Sequence, residues 1–449
     1  MNRSLTDDSI REIIEPLRRA NEQFSQHYPG ETGRRQPVHT VYGGAHLFKS
    51  DSAQRLGALA RRSLEEFAPD AATFAKAIGL PEGLAGRVYE RVTEKLQREP
   101  VEDFRIDFED GYGNRPDAEE DGHAASAASE VAQGRKNNTL PPFIGIRIKP
   151  FNEELRARSM RTLDIFVTNV VEQSNGQLPD NFVITLPKIT IPKQVSALVA
   201  LLKQLEKQTD LAAGSLKFEM MIETTQSIIN HDGQLNLPLL LAAGEGRCVA
   251  AHFGTYDYTA GCNITAAHQH MLHPACDFAK NMMQVSFAGT SIWLSDGATN
   301  IMPVAPHRRV EGQSLTQQQI DENREVVHRA WKLHCDHIQH SLTNAFYQGW
   351  DLHPAQLPTR YAAVYSFFLE SLEAASERLK NFVEKAAKAT LVGDVFDDAA
   401  TGQGLLNYFL RAINCGAITE AEAVERSGLT SQELRSASFV KILKSRQAL

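Results

Sequence analysis

Lys217-Phe218-Glu219-Met220-Met221-Ile222-Glu223-Thr224 and Cys248-Val249-Ala250-Ala251-His252-Phe253-Gly254-Thr255-Tyr256-Asp257-Tyr258 are two short apolar runs, each delivering a carboxylate at its end. Between them lie Ser227-Ile228-Ile229 and Leu237-Pro238-Leu239-Leu240-Leu241, separated by Asp232-Gly233. Strand-sized runs flanking a helical stretch predict a crossover between parallel strands. Glu223 and Asp257 then leave one sheet edge side by side, where two like charges repel unless a cation lies between them. A hard divalent ion, Mg2+ by default or Mn2+, is the expected counter-charge.

Working outward, the same rhythm recurs. Val38 to Gly44, Phe104 to Phe108, Phe143 to Ile148, Phe182 to Leu186 and Thr290 to Leu294 are strand-sized, and Trp350-Asp351-Leu352 supplies an eighth run after the amphipathic stretch Thr316 to Ala345. Eight alternating strands and helices predict an α/β fold of the TIM (β/α)8 barrel type. Residues 1–35 read as a helical lead-in, with Ile10, Ile13, Ile14 and Leu17 at helical spacing, and 36–358 as the barrel. Residues 359–449 carry no strand signal and read as a C-terminal helical domain broken at Gly393, Gly402, Gly416 and Gly428.

Composition narrows the function class. The chain has 449 residues, 42% hydrophobic and 23% charged, which suits a globular protein with one large and one smaller unit. Its apolar runs are too short to span a bilayer, so no membrane partner is expected. A net charge of -8 without a basic block argues against nucleic acid. The acidic start, Asp7-Asp8, without an apolar h-region predicts no secretory signal and a cytoplasmic location. Five scattered cysteines suggest neither disulfides nor a zinc site.

Catalytic groups of such barrels gather at the carboxyl ends of the strands. Asp107-Phe108-Glu109-Asp110-Gly111 puts Asp107 and Glu109 on one side of the second strand. The third carries Arg147, the fourth ends in Leu186-Pro187-Lys188, and the fifth and sixth deliver Glu223 and Asp257. Four carboxylates beside an arginine and a lysine form a compensated cluster able to hold a metal and an anionic substrate. Each element also has a bland reading, in which Arg147 merely pairs with Asp107. His252, His268, His270 and His273 show no zinc-ligand spacing.

The ordered set Asp-Phe-Glu-Asp, Arg, Leu-Pro-Lys, Ile-Glu-Thr and Gly-x-x-Asp-Tyr, with Asp351-Leu352-His353-Pro354, resembles the superfamily of malate synthase, malyl-CoA lyase and citrate lyase beta subunit. The resemblance runs from about Val38 to Thr419. Phe396-Asp397-Asp398-Ala399-Ala400-Thr401 looks like the malate synthase Met-Glu-Asp-Ala-Ala-Thr, whose aspartate is the catalytic base and maps to Asp398. The resemblance implies carbon-carbon bond formation or cleavage through an enolate. Glu223 and Asp257 would hold the metal, and Arg147, Asp398, Asp107 and Glu109 would serve catalysis. Arg147, Lys188, Gly254, Thr255 and Tyr256 would bind a small 2-oxo or hydroxy acid. It also implies a homo-oligomer. Arg147 is followed by Ile148-Lys149-Pro150-Phe151-Asn152 rather than Gly-Trp-His, which is closer to the lyase branch. A coenzyme A thioester substrate is one reading, a thioester-free aldolase acting on pyruvate or a related acid is a second, and a non-catalytic metabolite-binding barrel is a third.

Overall fold

The computed structural model describes residues 4, 6–30, 33–309, 314–384, 390–392, 395–397 and 399–447. After an N-terminal helix α1 (Asp7–His27), strand β1 (His39–Gly44) leads through α2 (Ser52–Phe67), α3 (Ala71–Ile78) and α4 (Glu82–Arg98) to β2 (Asp103–Asp107). Then come α5 (Asp117–Asn137), β3 (Phe143–Arg147), α6 (Arg156–Gln173), β4 (Phe182–Leu186), α7 (Pro192–Gln208) and β5 (Lys217–Ile222). The crossover holds α8 (Thr225–Ile228) and α9 (Leu237–Ala243), followed by β6 (Cys248–Phe253), α10 (Thr255–Gly261), α11 (Pro274–Phe287), β7 (Trp293–Ala298), α12 (Gln317–Thr343) and β8 (Gln348–Asp351). These strands pair in parallel and in chain order, and β8 returns to β1 to close a TIM barrel. Helices α13 (Leu357–Glu384), α14 (Ala399–Asn414), α15 (Glu420–Ser427), α16 (Ser431–Arg435) and α17 (Phe439–Gln447) follow, with a small hairpin of β9 (Thr390–Val392) and β10 (Val395–Asp397).

Alternation along the strands sends two kinds of side chain in two directions. Ile106, Ile146, Ile184, Phe218, Ile222 and Phe253 are fully buried in the apolar core that the surrounding helices complete. The lumen is ionic instead. Arg105 on β2 reaches across to Glu219 on β5 through paired bonds of 2.8 Å, and also pairs with Asp103. Asp103 accepts from Thr40 on β1 (2.9 Å), whose hydroxyl accepts from Gln348 on β8 (2.9 Å). Barrel interiors are more often filled by branched apolar residues; here each buried charge has an opposite partner, the condition under which burial is tolerated.

The seam between β8 and β1 is fastened from outside. Asp351 accepts from His39 (2.9 Å) and from Arg360 on α13, and meets His334 on α12. Because His39 Nε2 accepts from the Glu102 backbone N–H at 3.0 Å, its proton resides on Nδ1 and goes to Asp351, so the ring is neutral. Burial opposes the charge, but Arg360 together with the hydrogen bonds of His334 and His39 outweighs it and holds Asp351 well below the usual carboxylate range.

The expected boundary at 358/359 falls in the first turn of α13, a helix that packs on α12 and α4 and completes the outer ring. Beyond it, α14 lies at the amino end of the barrel. The Arg411 guanidinium stacks 4.0 Å from the ring centre of Tyr347, just before β8, and the Tyr408 hydroxyl donates to the Phe368 carbonyl. Among the described residues no helix is long and apolar enough to cross a membrane.

Candidate active site

Asp107, the last residue of β2, is fully buried and saturated with donors. Arg147 at the end of β3 gives it Nε (2.7 Å) and Nη2 (2.5 Å), while the backbone N–H groups of Glu109 (2.9 Å) and Gly111 (2.7 Å) fill its other lone pairs. Gly111 makes this turn possible, since a Cβ there would sit 2.6 Å from Asp107 Oδ2. The remaining amino group, Arg147 Nη1, faces Glu109 at 3.0 Å. Burial opposes the guanidinium charge, but Asp107 and Glu109 outweigh it and keep Arg147 permanently charged. Its plane rests over the Tyr42 ring at 4.8 Å.

Lys188 crosses the mouth from the end of β4. Its ammonium pairs with Glu109, lies 3.1 Å from both carboxylate oxygens of Asp110, and is 3.6 Å from Asp257. Its backbone adopts a positive φ of 49°, unusual for a lysine, and its N–H donates to Glu223 Oε1 at 2.7 Å. A sparsely populated conformation held beside ionised groups is where strain is commonly stored at functional sites.

Glu223 is buried at 2% exposure while Asp257, in the first turn of α10, is half-open. Burial, reinforced by the Asp257 charge, pushes Glu223 up to about 8, and burial likewise pushes Glu109 up to about 7. Five carboxylates (Asp107, Glu109, Asp110, Glu223, Asp257) face two cations (Arg147, Lys188), so carboxylate repulsion adds to the effect of burial. Among the described residues no three His, Cys, Asp or Glu side chains converge as a ready-made metal cage. The donor set nevertheless fits Mg2+, which is commonly held by one or two carboxylates and several waters. Gly254 makes room for the Glu223 carboxylate, since a Cβ there would lie 2.5 Å from Glu223 Oε2.

The sequence-predicted residues Asp107, Glu109, Arg147, Lys188, Glu223, Asp257 and Gly254 therefore meet at the carboxyl end of the barrel. Two others point elsewhere. The Thr255 hydroxyl is buried toward β7 without a hydrogen-bond partner, and Tyr256 donates to the Ala298 carbonyl at 2.8 Å and accepts from Asn300 N–H. The Tyr256 hydroxyl is thus tied to the β7 loop. Asp398 lies outside the described residues. Sequence reasoning passed over Asp110, a second partner of Lys188, and Tyr42, whose ring supports Arg147; the signal for Tyr42 was its inward register two residues before Gly44. Beside Tyr42, a cavity of about 250 Å³ opens between the β1 and β8 loops, lined by Gly43, Gly44, Phe48, Leu352, His353 and Leu357.

The profile of a family described only as a domain of unknown function, DUF6986, matches residues 17–442. The chain belongs to this family. No curated protein matches the chain. Among solved structures, a citrate lyase from Burkholderia xenovorans LB400 aligns with a TM-score of 0.56 at 17% identity, covering 87% of this chain and 95% of its own. A Haloferax volcanii malate synthase aligns at 12% identity with a TM-score of 0.46, covering 93% and 99% of the two chains. The likeness to the citrate lyase shows a shared barrel fold. Within the DUF6986 chain, that fold puts the ionised cluster where barrel enzymes keep their chemistry.

Proposed function

We propose that this protein is a divalent-cation-dependent carbon-carbon lyase or Claisen-type synthase acting on a short hydroxy acid, or its coenzyme A thioester, by way of a 2-oxo acid. The observation that carries the reading is the Arg147 guanidinium, clamped by Asp107, beside the paired carboxylates Glu223 and Asp257. The citrate lyase likeness and the resemblance of Asp107 to Asp110 to malate synthases are consistent with it.

Mg2+ or Mn2+ held by Glu223 and Asp257 would supply Lewis-acid polarisation of a carbonyl. The rest falls to the chain's own residues. In the synthetic direction a base takes a proton from the carbon next to the thioester carbonyl, and the resulting enolate carbon bonds to the oxo carbon of the acid. The oxo oxygen becomes an alkoxide. Arg147 faces that developing charge with a donor already oriented, an effect worth roughly 2.7–4 kcal/mol in oxyanion sites. Lys188 balances the carboxylates around the substrate's own carboxylate. The apolar cavity beside Tyr42 offers space for an acyl arm.

The base assigned by the resemblance is Asp398. A metal-dependent aldolase that uses no thioester needs no such residue. The deciding experiment supplies purified protein and Mg2+ with glyoxylate, pyruvate or oxaloacetate, with and without short acyl-CoA thioesters. Thioester-dependent product supports the first reading, turnover without thioester supports the aldolase, and no turnover with retained oxo-acid binding leaves a metabolite-binding barrel.

A further inference from the structure

Helix α1 is amphipathic, and its apolar seam is largely exposed among the described residues. Ile10, Ile13, Leu17, Ala20 and Phe24 recur at spacings of three and four, forming a narrow seam of the kind that pairs helices, with Ile14 beside it. Yet Ile13 is 65%, Leu17 55% and Phe24 63% exposed, and from Arg11 to Tyr28 every side chain is exposed except a half-buried Glu15. An apolar seam of this length in water opposes folding of the helix unless something covers it, because isolated helices draw most of their stability from packing.

A second exposed apolar stripe lies on α11. Phe278 (50% exposed) and Val285 (75% exposed) stand at i and i+7 on its outer face, with the half-buried Met282, which also packs on the core, between them. The two stripes share a joint. Gly30 N–H donates to the Gly289 carbonyl at 2.8 Å, and the Tyr28 ring packs over Gly289, two residues beyond the end of α11. The arm is therefore rooted at the end of the helix that carries the other stripe, while Ile13, Leu17, Phe24, Phe278 and Val285 stay exposed within one chain.

We propose that α1 is an exchange arm, and that in solution the α1 seam of each copy lies along the α11 stripe of a second copy. A two-fold axis near the Gly30–Gly289 joint would let both arms cross reciprocally, covering four apolar stripes with one operation. A 21-residue helix is about 31 Å long and roughly 11 Å wide. Helix α11, with 14 residues, is about 21 Å long, so one arm and one acceptor stripe per chain bury on the order of 460 Å² per partner along their shared length, toward the low end for a specific interface. A lipid surface fits less well. The helix carries Asp7, Asp8, Glu12, Glu15 and Glu22 against Arg11, Arg18 and Arg19, so anionic headgroups would repel it, whereas interfacial helices are rich in Lys and Arg. This inference is independent of the reaction proposed above.

The test is sedimentation velocity on the full-length chain and on Leu17→Asp and Val285→Asp, both substitutions at exposed positions, with circular dichroism to verify folding. Each variant is expected to halve the particle mass, and hydrogen exchange over residues 10–24 is expected to be slow in the wild type and fast in both variants. A monomeric wild type, a mass unaffected by either substitution, or dissociation by Leu17→Asp alone would overturn the exchange. So would co-flotation of the wild type, but not of Leu17→Asp, with phosphatidylcholine–phosphatidylglycerol vesicles.

Discussion

Replacing Arg147 by Met separates what this residue does for the fold from what it does for the reaction. Asp107 loses its two charge-assisted bonds of 2.7 and 2.5 Å and keeps only the backbone donors Glu109 and Gly111. An ionised carboxylate is then buried without its cation, and breaking a buried pair by removing one partner costs about 3–5 kcal/mol. Asp107→Asn alone should also destabilise, because the guanidinium loses its main acceptor. The double variant Asp107→Asn/Arg147→Met removes both charges and should recover part of the loss, with a coupling energy of about 2 kcal/mol, inside the usual range for contacting residues. Turnover should not recover. With no fixed donor at the developing alkoxide, kcat should fall by roughly 10²–10³ in both variants that lack Arg147. Urea unfolding monitored by tryptophan fluorescence gives the stabilities, and the Mg2+-supplemented oxo-acid assay gives the rates. Strictly additive stability losses would refute the clamp, and an Arg147→Met enzyme within tenfold of wild-type kcat would refute the catalytic role.

Gly254→Ala is expected to weaken Mg2+ binding at least tenfold by calorimetry, because the new Cβ would press against Glu223 at 2.5 Å without altering any charge; Glu223→Ala should abolish binding in the same experiment while thermal melting remains cooperative. Away from the mouth, Glu206 accepts from Arg247 at 2.6 and 2.8 Å and from two backbone N–H groups, which outweigh burial and lower it from 4.5 to about 2. A depressed carboxylate contributes stability that is fully present above pH 4.5 and lost as pH falls through about 2. Glu206→Gln should therefore remove on the order of 3 kcal/mol at neutral pH and flatten the acid limb of the stability curve, as read by urea midpoints between pH 6 and 2, without changing Mg2+ affinity. Asp398→Asn should lower kcat by about 10²–10⁴ with oxo-acid binding retained. Co-expressing it with Arg147→Met should restore turnover if the two residues act across chains, and should leave it absent if they act within one chain.

The first six strands were legible because each has an apolar face that must enter the core between sheet and helices, and short apolar runs are what such strands look like. The seventh was misplaced. Thr290 to Leu294 was expected, whereas β7 runs Trp293–Ala298 and includes Ser295, Asp296 and Gly297. Those polar residues lack the apolar signal of a strand, but Asp296 is buried against Lys280 (3.0 Å) and the Ser341 hydroxyl (2.7 Å) from flanking helices, partners that only the closed barrel supplies. The same reason hid the Arg105–Glu219 bridge, since 114 residues separate its ends. Strand-end carboxylates were readable because position on a strand fixes their destination; side-chain direction beyond it was not, as Tyr256 shows. Helix α1 was legible as a helix within the expected lead-in of residues 1–35, but the exposure of its apolar seam was not.

What steadies the site is the floor beneath it. The Arg147 guanidinium lies over Tyr42, and Tyr42 leans on Trp350 with ring centres 4.8 Å apart. The indole N–H of Trp350 donates to His252 Nδ1 at 3.1 Å, so the imidazole proton must reside on Nε2 if the ring is neutral. That nitrogen lies 2.9 Å from Glu219 Oε2, off the ideal hydrogen-bond direction, and Glu219 is bound by Arg105. A continuous stack of rings and ion pairs thus descends from the mouth to the middle of the lumen. An apolar lumen would pack as densely, but it would place no directional constraint on the arginine above. Electrostatic stabilisation of a developing charge depends on donors that do not reorient during the reaction. The buried ionic layer, costly to desolvate and therefore weak evidence for stability, is accounted for physically as the support that keeps Arg147 aimed.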